Sequence, residues 1–182
     1  MDKQLIFIAG IHGVGKSTFC NLFKNLHPNL DYFSASTLIK NYKANAFTQS
    51  KQVPDIDTNQ DILISALSSQ KDTKDLILLD GHFCLFDSEF NPQEIPIEVF
   101  TKLKMNIIIL LTAPIELIVE RMKDRDGKSH SISELSKLQD LEVLSANRIA
   151  EKLNIPLLTF EHDEISKSVE TCINEVLEVL KQ

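Results

Sequence analysis

One stretch near the amino terminus constrains the fold of this chain more than any other part: Gly10-Ile11-His12-Gly13-Val14-Gly15-Lys16-Ser17-Thr18. It matches the phosphate-binding pattern G-x-x-x-x-G-K-[ST]. The apolar run at residues 5–9 before it is typical of a buried parallel strand, and the amphipathic stretch at 18–26 after it predicts a helix. We expect the loop between them to bind phosphate, because glycines let the backbone bend around an anion with its N–H groups pointing inward.

The pattern assigns roles to individual residues of this loop. Lys16 is expected to reach the β- and γ-phosphates of a nucleotide, and the Ser17 hydroxyl to bind Mg²⁺. Backbone N–H groups and the helix N-terminus supply further contacts. The alternative is a glycine-rich turn that binds nothing. The predicted ATP-binding residues are Gly10, His12, Gly13, Val14, Gly15, Lys16, Ser17 and Thr18.

Length and composition predict a single α/β domain over residues 1–182. The chain is 43% apolar, enough for a sizeable core, and its 182 residues are too few for two such domains. Its formal charge of −7 disfavours a nucleic-acid or anionic membrane surface, which relies on clustered Lys and Arg. No apolar stretch approaches the ~18 residues of a membrane span. Cys20, Cys84 and Cys172 lack C-x-x-C spacing, so we expect no disulfide framework or zinc ribbon and a cytoplasmic protein.

Apolar runs alternate with amphipathic stretches along the whole chain. Strands are predicted at residues 5–9, 30–34, 75–80, 107–111 and 157–160. Helices are predicted at residues 18–26, 36–47, 57–70, 96–103, 115–122, 131–153 and 165–180. The sixth is opened by an S-x-x-E capping box at Ser131, or by the alternative cap Ser133. The residues from 83 to 94 permit a small hairpin. The alternation predicts a parallel sheet with helices on both faces and with ligands at the carboxyl ends of the strands.

A second candidate site follows the third predicted strand, which ends at Asp80 and Gly81. An Asp at such a strand end commonly completes a Mg²⁺ site begun by the phosphate-loop hydroxyl. Asp80 is therefore predicted to join Ser17 at Mg²⁺, directly or through water. The alternative is a turn aspartate before glycine. His82 is a candidate for contact with an acceptor anion, against the alternative of a packed or surface histidine.

The arginines of the chain all lie between residues 121 and 148, whereas lysine supplies the cationic charge elsewhere. A guanidinium is a planar fork that suits phosphate. Around the short polar loop at about 124–133, such groups predict a lid that closes over a transferring phosphoryl group and excludes water. The alternative is surface pairing with Glu120, Asp124 or Glu142. The predicted lid arginines are Arg121, Arg125 and Arg148.

Taken together, these features resemble the P-loop nucleoside-monophosphate kinases, and more narrowly the archaeal-type adenylate kinases, across essentially the whole chain. The residues that carry the match are Gly10 to Thr18, Asp80-Gly81-His82, the helix start at Ile95-Pro96, and the stretch from Ile107 through Glu120-Arg121-Met122, Asp124-Arg125-Asp126, Gln139 and Asn147-Arg148. The resemblance implies the P-loop NTPase fold, a three-layer αβα sandwich with five parallel strands in the order 2-3-1-4-5. It also implies one kinase domain with acceptor-binding helices at about 35–72 and a short lid at about 124–133.

The resemblance further implies roles in catalysis and in acceptor binding. Lys16, Arg121, Arg125 and Arg148 would stabilise the transferring phosphoryl group, and Ser34, Ser36, Lys40 and His82 would bind the acceptor. Two departures from the family pattern concern the acceptor. Where the wider family has an arginine for the acceptor phosphate this chain has Lys40, which keeps the charge but loses the bidentate fork. Many members continue Asp-Gly with Phe-Pro-Arg, and here His82-Phe83-Cys84 supplies no arginine.

Three functions agree with these features. The leading one is transfer of the γ-phosphoryl group of Mg-ATP to a nucleoside monophosphate, with AMP as the first candidate. The second is a kinase of another small acceptor, of the dephospho-coenzyme A or sugar-acid type. The third is an ATP-binding switch module that acts on a protein partner with little turnover. We expect ATP, Mg²⁺ and a small phosphorylated acceptor as partners, and no nucleic acid or membrane. The sequence contains no recognisable subunit interface and so predicts no particular oligomeric state.

Overall fold

The computed structural model describes residues 3–48, 59–70, 74–126 and 131–181. Its strands are β1 (Gln4–Ala9), β2 (Leu30–Ser34), β3 (Leu76–Asp80), β4 (Cys84–Phe86), β5 (Pro92–Glu94), β6 (Ile107–Thr112) and β7 (Leu157–Glu161). Its helices are α1 (Lys16–Leu26), α2 (Ala35–Thr48), α3 (Asn59–Ser68), α4 (Ile97–Leu103), α5 (Ile115–Asp126), α6 (Ile132–Leu153) and α7 (His162–Val179). Within the described ranges, no helix is both long and apolar enough to cross a bilayer.

The main sheet contains five parallel strands in the order β2-β3-β1-β6-β7. Counted along the chain without the two hairpin strands, this is the predicted order 2-3-1-4-5. β1 and β6 lie side by side, with Phe7 opposite Ile108, and both are buried along almost their whole length. Their continuous apolar runs fit a sheet that is covered on both faces. The predicted fold class is therefore confirmed.

The segment after β3 is fixed by close aromatic packing. The ring centroid of Phe83 lies 5.0 Å from that of Phe7 and 4.7 Å from that of Phe100. A Cβ at Gly81 would lie 2.7 Å from Cζ of Phe7, closer than carbon atoms approach without a shift. Gly81 is therefore needed for the chain to pass over Phe7, and this passage sets the position of Asp80 and of the residue after the glycine.

The predicted hairpin is present as β4 and β5, which pair antiparallel outside the main sheet with Cys84 opposite Glu94. The carboxylate of Asp87 closes its turn, since Oδ1 accepts from the backbone N–H groups of Glu89 at 2.8 Å and Asn91 at 2.9 Å. The hairpin contacts α6 through the Ser145 hydroxyl, which donates to Oε1 of Glu94 at 2.6 Å. Two segments distant in sequence thus meet beside the main sheet.

The capping box predicted for the longest helix is present. The Ser131 hydroxyl accepts from the Glu134 backbone N–H at 3.1 Å, and the Glu134 carboxylate accepts from the Ser131 backbone N–H at 3.2 Å. These bonds satisfy two of the N–H groups that a helix start leaves unpaired. α6 then runs to Asn154, which ends it with a φ of 52°.

Two helix bounds differ from the sequence-based expectations. α5 continues to Asp126 instead of ending near Met122, because Lys123 to Asp126 contain neither Gly nor Pro and a charged stretch can continue an exposed helix. α7 begins directly after β7, at His162 instead of 165. The loop at 127–130, the centre of the predicted lid, lies outside the described residues, as does the segment at 49–58.

Candidate active site

The loop between β1 and α1 turns sharply at three glycines. Gly10, Gly13 and Gly15 have φ values of 137°, 84° and 112°, which side-chain-bearing residues rarely adopt. A Cβ at Gly10 would also lie 2.6 Å from the carbonyl oxygen of Leu111 in β6. Gly15 is the N-cap of α1, so the loop leads straight into a helix start, which favours bound anions.

A cleft of about 1050 Å³ opens at this loop and is called the main cleft below. It contains every predicted ATP-binding residue except Gly10, together with Asp80, His82, Ser34, Ser36 and Arg121 from the other predictions. Its remaining lining residues were not predicted: Phe19, Leu22, His162, Val169 and Glu170. His162 follows the carboxyl end of β7, so the rule that ligands bind at strand ends could have identified it.

The side chain of Lys16 points back into the loop that precedes it. Its side chain is buried, at 8% exposure, and Nζ donates to the carbonyl oxygens of Gly10 at 2.6 Å and Ile11 at 3.2 Å. A buried ammonium group requires such partners to offset the loss of its hydration. The loop thereby holds a positive charge at the place where the sequence pattern puts phosphate.

Asp80 and Ser17, the predicted metal-binding pair, are linked by a residue that the sequence did not single out. Asp80 is 6% exposed, and the phenol of Tyr32 on β2 donates to its Oδ2. The Ser17 side chain lies beside the same phenol, in the lining of a shared cavity. Burial, together with the bond to Asp80, raises the pKa of Tyr32 above its usual value, so the phenol stays protonated at neutral pH.

The donors of Asp80 and Ser17 fit Mg²⁺. Both are hard oxygen donors, and Mg²⁺ in proteins is usually held by one or two carboxylates with phosphate and water completing its shell. The main cleft has room for a triphosphate beside them. When bound, the metal would neutralise charge on the β- and γ-phosphate oxygens.

His82 packs against the phosphate loop. Its ring centroid lies 4.1 Å from that of His12. Burial lowers the pKa of His82 well below its usual value, and electrostatic interactions with Lys16 and His12 lower it further. His82 is therefore neutral at physiological pH, so it can offer an acceptor a hydrogen bond but no full charge.

This shift predicts a pH dependence of stability. In the unfolded chain His82 takes up a proton near pH 6.5, whereas in the folded chain it stays neutral to a much lower pH. The unfolded state then binds more protons, so the free energy of unfolding should fall as pH drops below about 6.5. Urea unfolding between about pH 5 and 8 should show a steeper decline for wild type than for His82→Gln. Equal slopes would contradict the prediction.

Of the three predicted lid arginines, Arg121 reaches the main cleft. It lies on α5, and its Nη1 donates to the carbonyl oxygens of Gly13 and Val14, both at 3.3 Å. Its Nη2 lies 3.4 Å from the ring nitrogens of His162. The structure describes the backbone of Arg125 in α5 but not its side chain, so the predicted role of Arg125 stays a prediction.

Arg148 is placed away from the main cleft. Its Nη2 donates to Oε1 of Glu94 at 2.7 Å, on the hairpin. Arg148 lies six residues after Glu142, or about 9 Å further along the axis of α6, and Glu142 is the residue of α6 that contacts the phosphate loop. This arrangement does not support its predicted place at the transferring phosphoryl group, and its partner differs from the carboxylates considered from sequence.

Some of the predicted acceptor residues line the main cleft, and Lys40 does not. Ser34 and Ser36 line the main cleft with their Oγ atoms 3.1 Å apart, whereas Lys40 is exposed on α2 and lines no described cavity. The structure therefore does not support a contact between Lys40 and the acceptor. A second cavity of about 660 Å³ adjoins the main cleft at Ser17, Ser34 and Ser36 and extends past Tyr32, Phe33, Thr37, Leu38, Asn41, Tyr42, Ala66, Ser69 and Gln70.

Glu142 on α6 holds two segments of the site together. It is 1% exposed, and its carboxylate accepts from the backbone N–H groups of Gly10 at 3.0 Å, Phe83 at 3.0 Å and Cys84 at 2.7 Å. Burial raises its pKa, and these hydrogen bonds oppose the rise. The sequence contained a signal: Glu142 lies at helical spacing among the buried residues Leu135, Leu138, Ala146 and Ile149.

A parallel sheet whose first strand leads through a glycine-rich loop and a buried lysine into a helix defines the P-loop nucleotide-binding class. A family model described as AAA domain matches residues 9–139. The chain belongs to this AAA domain family. No curated protein sequence matches it significantly.

Solved structures share the fold over almost the whole chain. Shikimate kinase from Acinetobacter baumannii in complex with shikimate is 17% identical, with a TM-score of 0.57 over 98% of this chain and 93% of that one. Shikimate kinase from Bacteroides thetaiotaomicron is 16% identical, with a TM-score of 0.53 over 98% and 99%. A gluconokinase from Sinorhizobium meliloti is 10% identical, with a TM-score of 0.52 over 98% and 91%. At these identities the similarity establishes the fold.

Proposed function

We propose that the protein is a small-molecule kinase that transfers the γ-phosphoryl group of Mg-ATP and acts as one domain over residues 1–182. The observation that carries the proposal is the junction of the two cavities. Lys16, Ser17 and Asp80 line the main cleft, and the second cavity opens beside them at Ser17. A nucleotide in the first and an acceptor in the second would bring the two reacting groups together. The fold shared with shikimate kinases and a gluconokinase agrees with this reading.

The mechanism follows from positioning and charge. The acceptor atom would form a bond to the γ-phosphorus while the bond to the β,γ-bridging oxygen breaks. Lys16 and the N-terminus of α1 would stabilise charge on the phosphate oxygens, and Arg121 lies close enough to the loop to join them. Ser17 and Asp80 would hold Mg²⁺. No covalent enzyme intermediate is needed.

AMP is the acceptor that the resemblance to adenylate kinases favours, and the same resemblance assigns Ser34 and Ser36 to its binding. A second candidate is a small polyhydroxy compound or sugar acid. The observation that favours the second candidate is the lining of the second cavity, where hydroxyl and amide groups come from Tyr32, Thr37, Asn41, Tyr42, Ser69 and Gln70. Such groups can bind the hydroxyl groups of an acceptor by paired donation and acceptance.

A coupled assay of ADP formation tests both candidates. The protein is given Mg-ATP with AMP, each other common nucleoside monophosphate, dephospho-coenzyme A, shikimate or gluconate. We expect one acceptor to raise ADP formation far above the rate of ATP hydrolysis without acceptor. AMP alone would establish the adenylate kinase reading, and a sugar acid the second candidate. ATP binding with no acceptor-dependent ADP would overturn the kinase and favour an ATP-binding switch module.

The two described arginines predict different mutant kinetics. Arg121→Ala should lower kcat at least about tenfold, because Arg121 alone of this pair lies beside the phosphate loop. Arg148→Ala should leave kcat within about twofold and cost at most about 1 kcal/mol of stability, since it removes a largely exposed ion pair with Glu94. Steady-state kinetics and thermal unfolding of both variants check this. An equal loss of kcat in Arg148→Ala would support the role at the transferring phosphoryl group that the sequence predicted for Arg148.

A further inference from the structure

Tyr32 lies at the boundary between the two cavities. It lines the second cavity together with Ser17, and its phenol donates to Oδ2 of Asp80, which lines the main cleft. The strand register explains this reach. In the parallel pair of β2 and β3, Ser34 is opposite Asp80, and Tyr32 lies two residues earlier on the same face as Ser34. One side chain therefore hydrogen-bonds Asp80 and shares a cavity wall with Ser17, the two residues that the proposed function assigns to Mg²⁺.

The contact fixes the direction in which the Asp80 carboxylate can act. A phenol on a sheet strand is a rigid donor with few rotatable bonds, and Asp80 is almost completely buried. A carboxylate has two oxygens, so donation to Oδ2 orients Oδ1 for a metal ion or a metal-bound water. Residues that orient metal ligands in this way commonly change metal affinity by about 10–100-fold when they are replaced.

We propose that Tyr32 is a positioning residue that orients Asp80 for Mg²⁺ and transmits metal occupancy to the acceptor cavity. The inference rests on the proposed function, because it takes Ser17 and Asp80 as the metal-binding pair. When these two residues engage the metal, the acceptor of the phenol, Asp80, and its neighbour in the cavity wall, Ser17, both change their environment. Since the ring of Tyr32 is part of the wall of the second cavity, the acceptor meets a different wall before and after metal binding. By linkage, a bound acceptor must then also change the affinity for Mg²⁺.

Tyrosine fluorescence can test the proposal without turnover. The sequence contains two tyrosines and no tryptophan, so Tyr42→Phe leaves Tyr32 as the single tyrosine. The variant is saturated with a non-hydrolysable ATP analogue in the presence of a chelator, and MgCl₂ is then added in excess. We expect a saturable change in emission, and a smaller change from Tyr42 in the reciprocal variant Tyr32→Phe. No change in Tyr42→Phe would overturn the proposal.

The Mg²⁺ requirement for analogue binding supplies the second readout. Tyr32→Phe keeps the ring and removes the hydroxyl. We expect the Mg²⁺ concentration that gives half-maximal binding of the analogue to rise about tenfold or more in this variant. Metal-free binding of the analogue should be unchanged, and Lys24→Ala, at an exposed position in the last turn of α1, should keep the wild-type Mg²⁺ dependence. If wild type binds the analogue and Tyr32→Phe needs no more Mg²⁺ than wild type does, the proposed role of Tyr32 is overturned and the proposed function is not. If wild type fails to bind the analogue, the proposed function fails, and this inference with it.

Discussion

Replacement of Lys16 by alanine is expected to reduce the turnover number by about 10²–10³-fold or more. Lys16 is the cation that the phosphate loop encloses, held by the carbonyl oxygens of Gly10 and Ile11. Charge shifts onto the phosphate oxygens in the transition state, so losing a preorganised cation should affect kcat more than ATP binding. ADP formation under saturating ATP, with ATP affinity measured separately, checks both parts of the expectation.

Lys24→Ala is the matched control for Lys16→Ala. Lys24 is on the same helix, α1, but lies exposed in its last turn, far from the loop. Its removal changes the net charge equally and should leave kcat within about twofold. A thermal unfolding curve separates loss of chemistry from loss of fold, because Lys16→Ala also removes the ammonium donor from two loop carbonyls. A Lys16→Ala protein that keeps most of its turnover would exclude the proposed phosphate-loop mechanism.

The fold was predictable because its signals are local. The phosphate loop is specified by nine consecutive residues, and the strands by continuous apolar runs such as Ile107–Thr112. Parallel strands and right-handed crossovers leave few arrangements for such an alternation. The particular sheet order came from the resemblance to the P-loop kinases. The positions of Asp80 and His82 at the edge of the sheet came from the rule that ligands bind at the carboxyl ends of parallel strands, since Asp80 ends β3 and His82 lies two residues later.

The partners of individual side chains were less predictable, because they depend on the rotation of helices and on contacts distant in sequence. Arg148 pairs with Glu94, which is 54 residues away on a hairpin whose packing no local pattern specifies. Lys40 lies four residues after Ser36 on α2, yet its side chain is on an exposed face. Charge and spacing indicated which residues could bind phosphate, and helix orientation decides which of them line the main cleft.

Glu142→Ala is expected to destabilise the protein by about 3 kcal/mol or more, because it leaves three buried N–H groups without an acceptor at about 1–3 kcal/mol each. These groups belong to Gly10, Phe83 and Cys84. For a chain of this size, that loss lowers Tm by roughly 10 °C. The same change frees the first residue of the phosphate loop, so KM for ATP should rise as well. Thermal unfolding and steady-state kinetics measure the two effects.

Comparison with Glu151→Ala and Glu142→Gln identifies the cause. Glu151 is exposed on the same helix, so its replacement should change stability by at most about 0.5 kcal/mol. Glu142→Gln keeps one acceptor oxygen but turns an NH₂ group towards backbone donors, so its stability should lie between those of wild type and Glu142→Ala. Removing a buried carboxylate also removes the cost of dehydrating it, which works against the expected loss. An unchanged Tm in Glu142→Ala would show that the two effects cancel, and that α6 holds the phosphate loop through apolar packing instead of through this carboxylate.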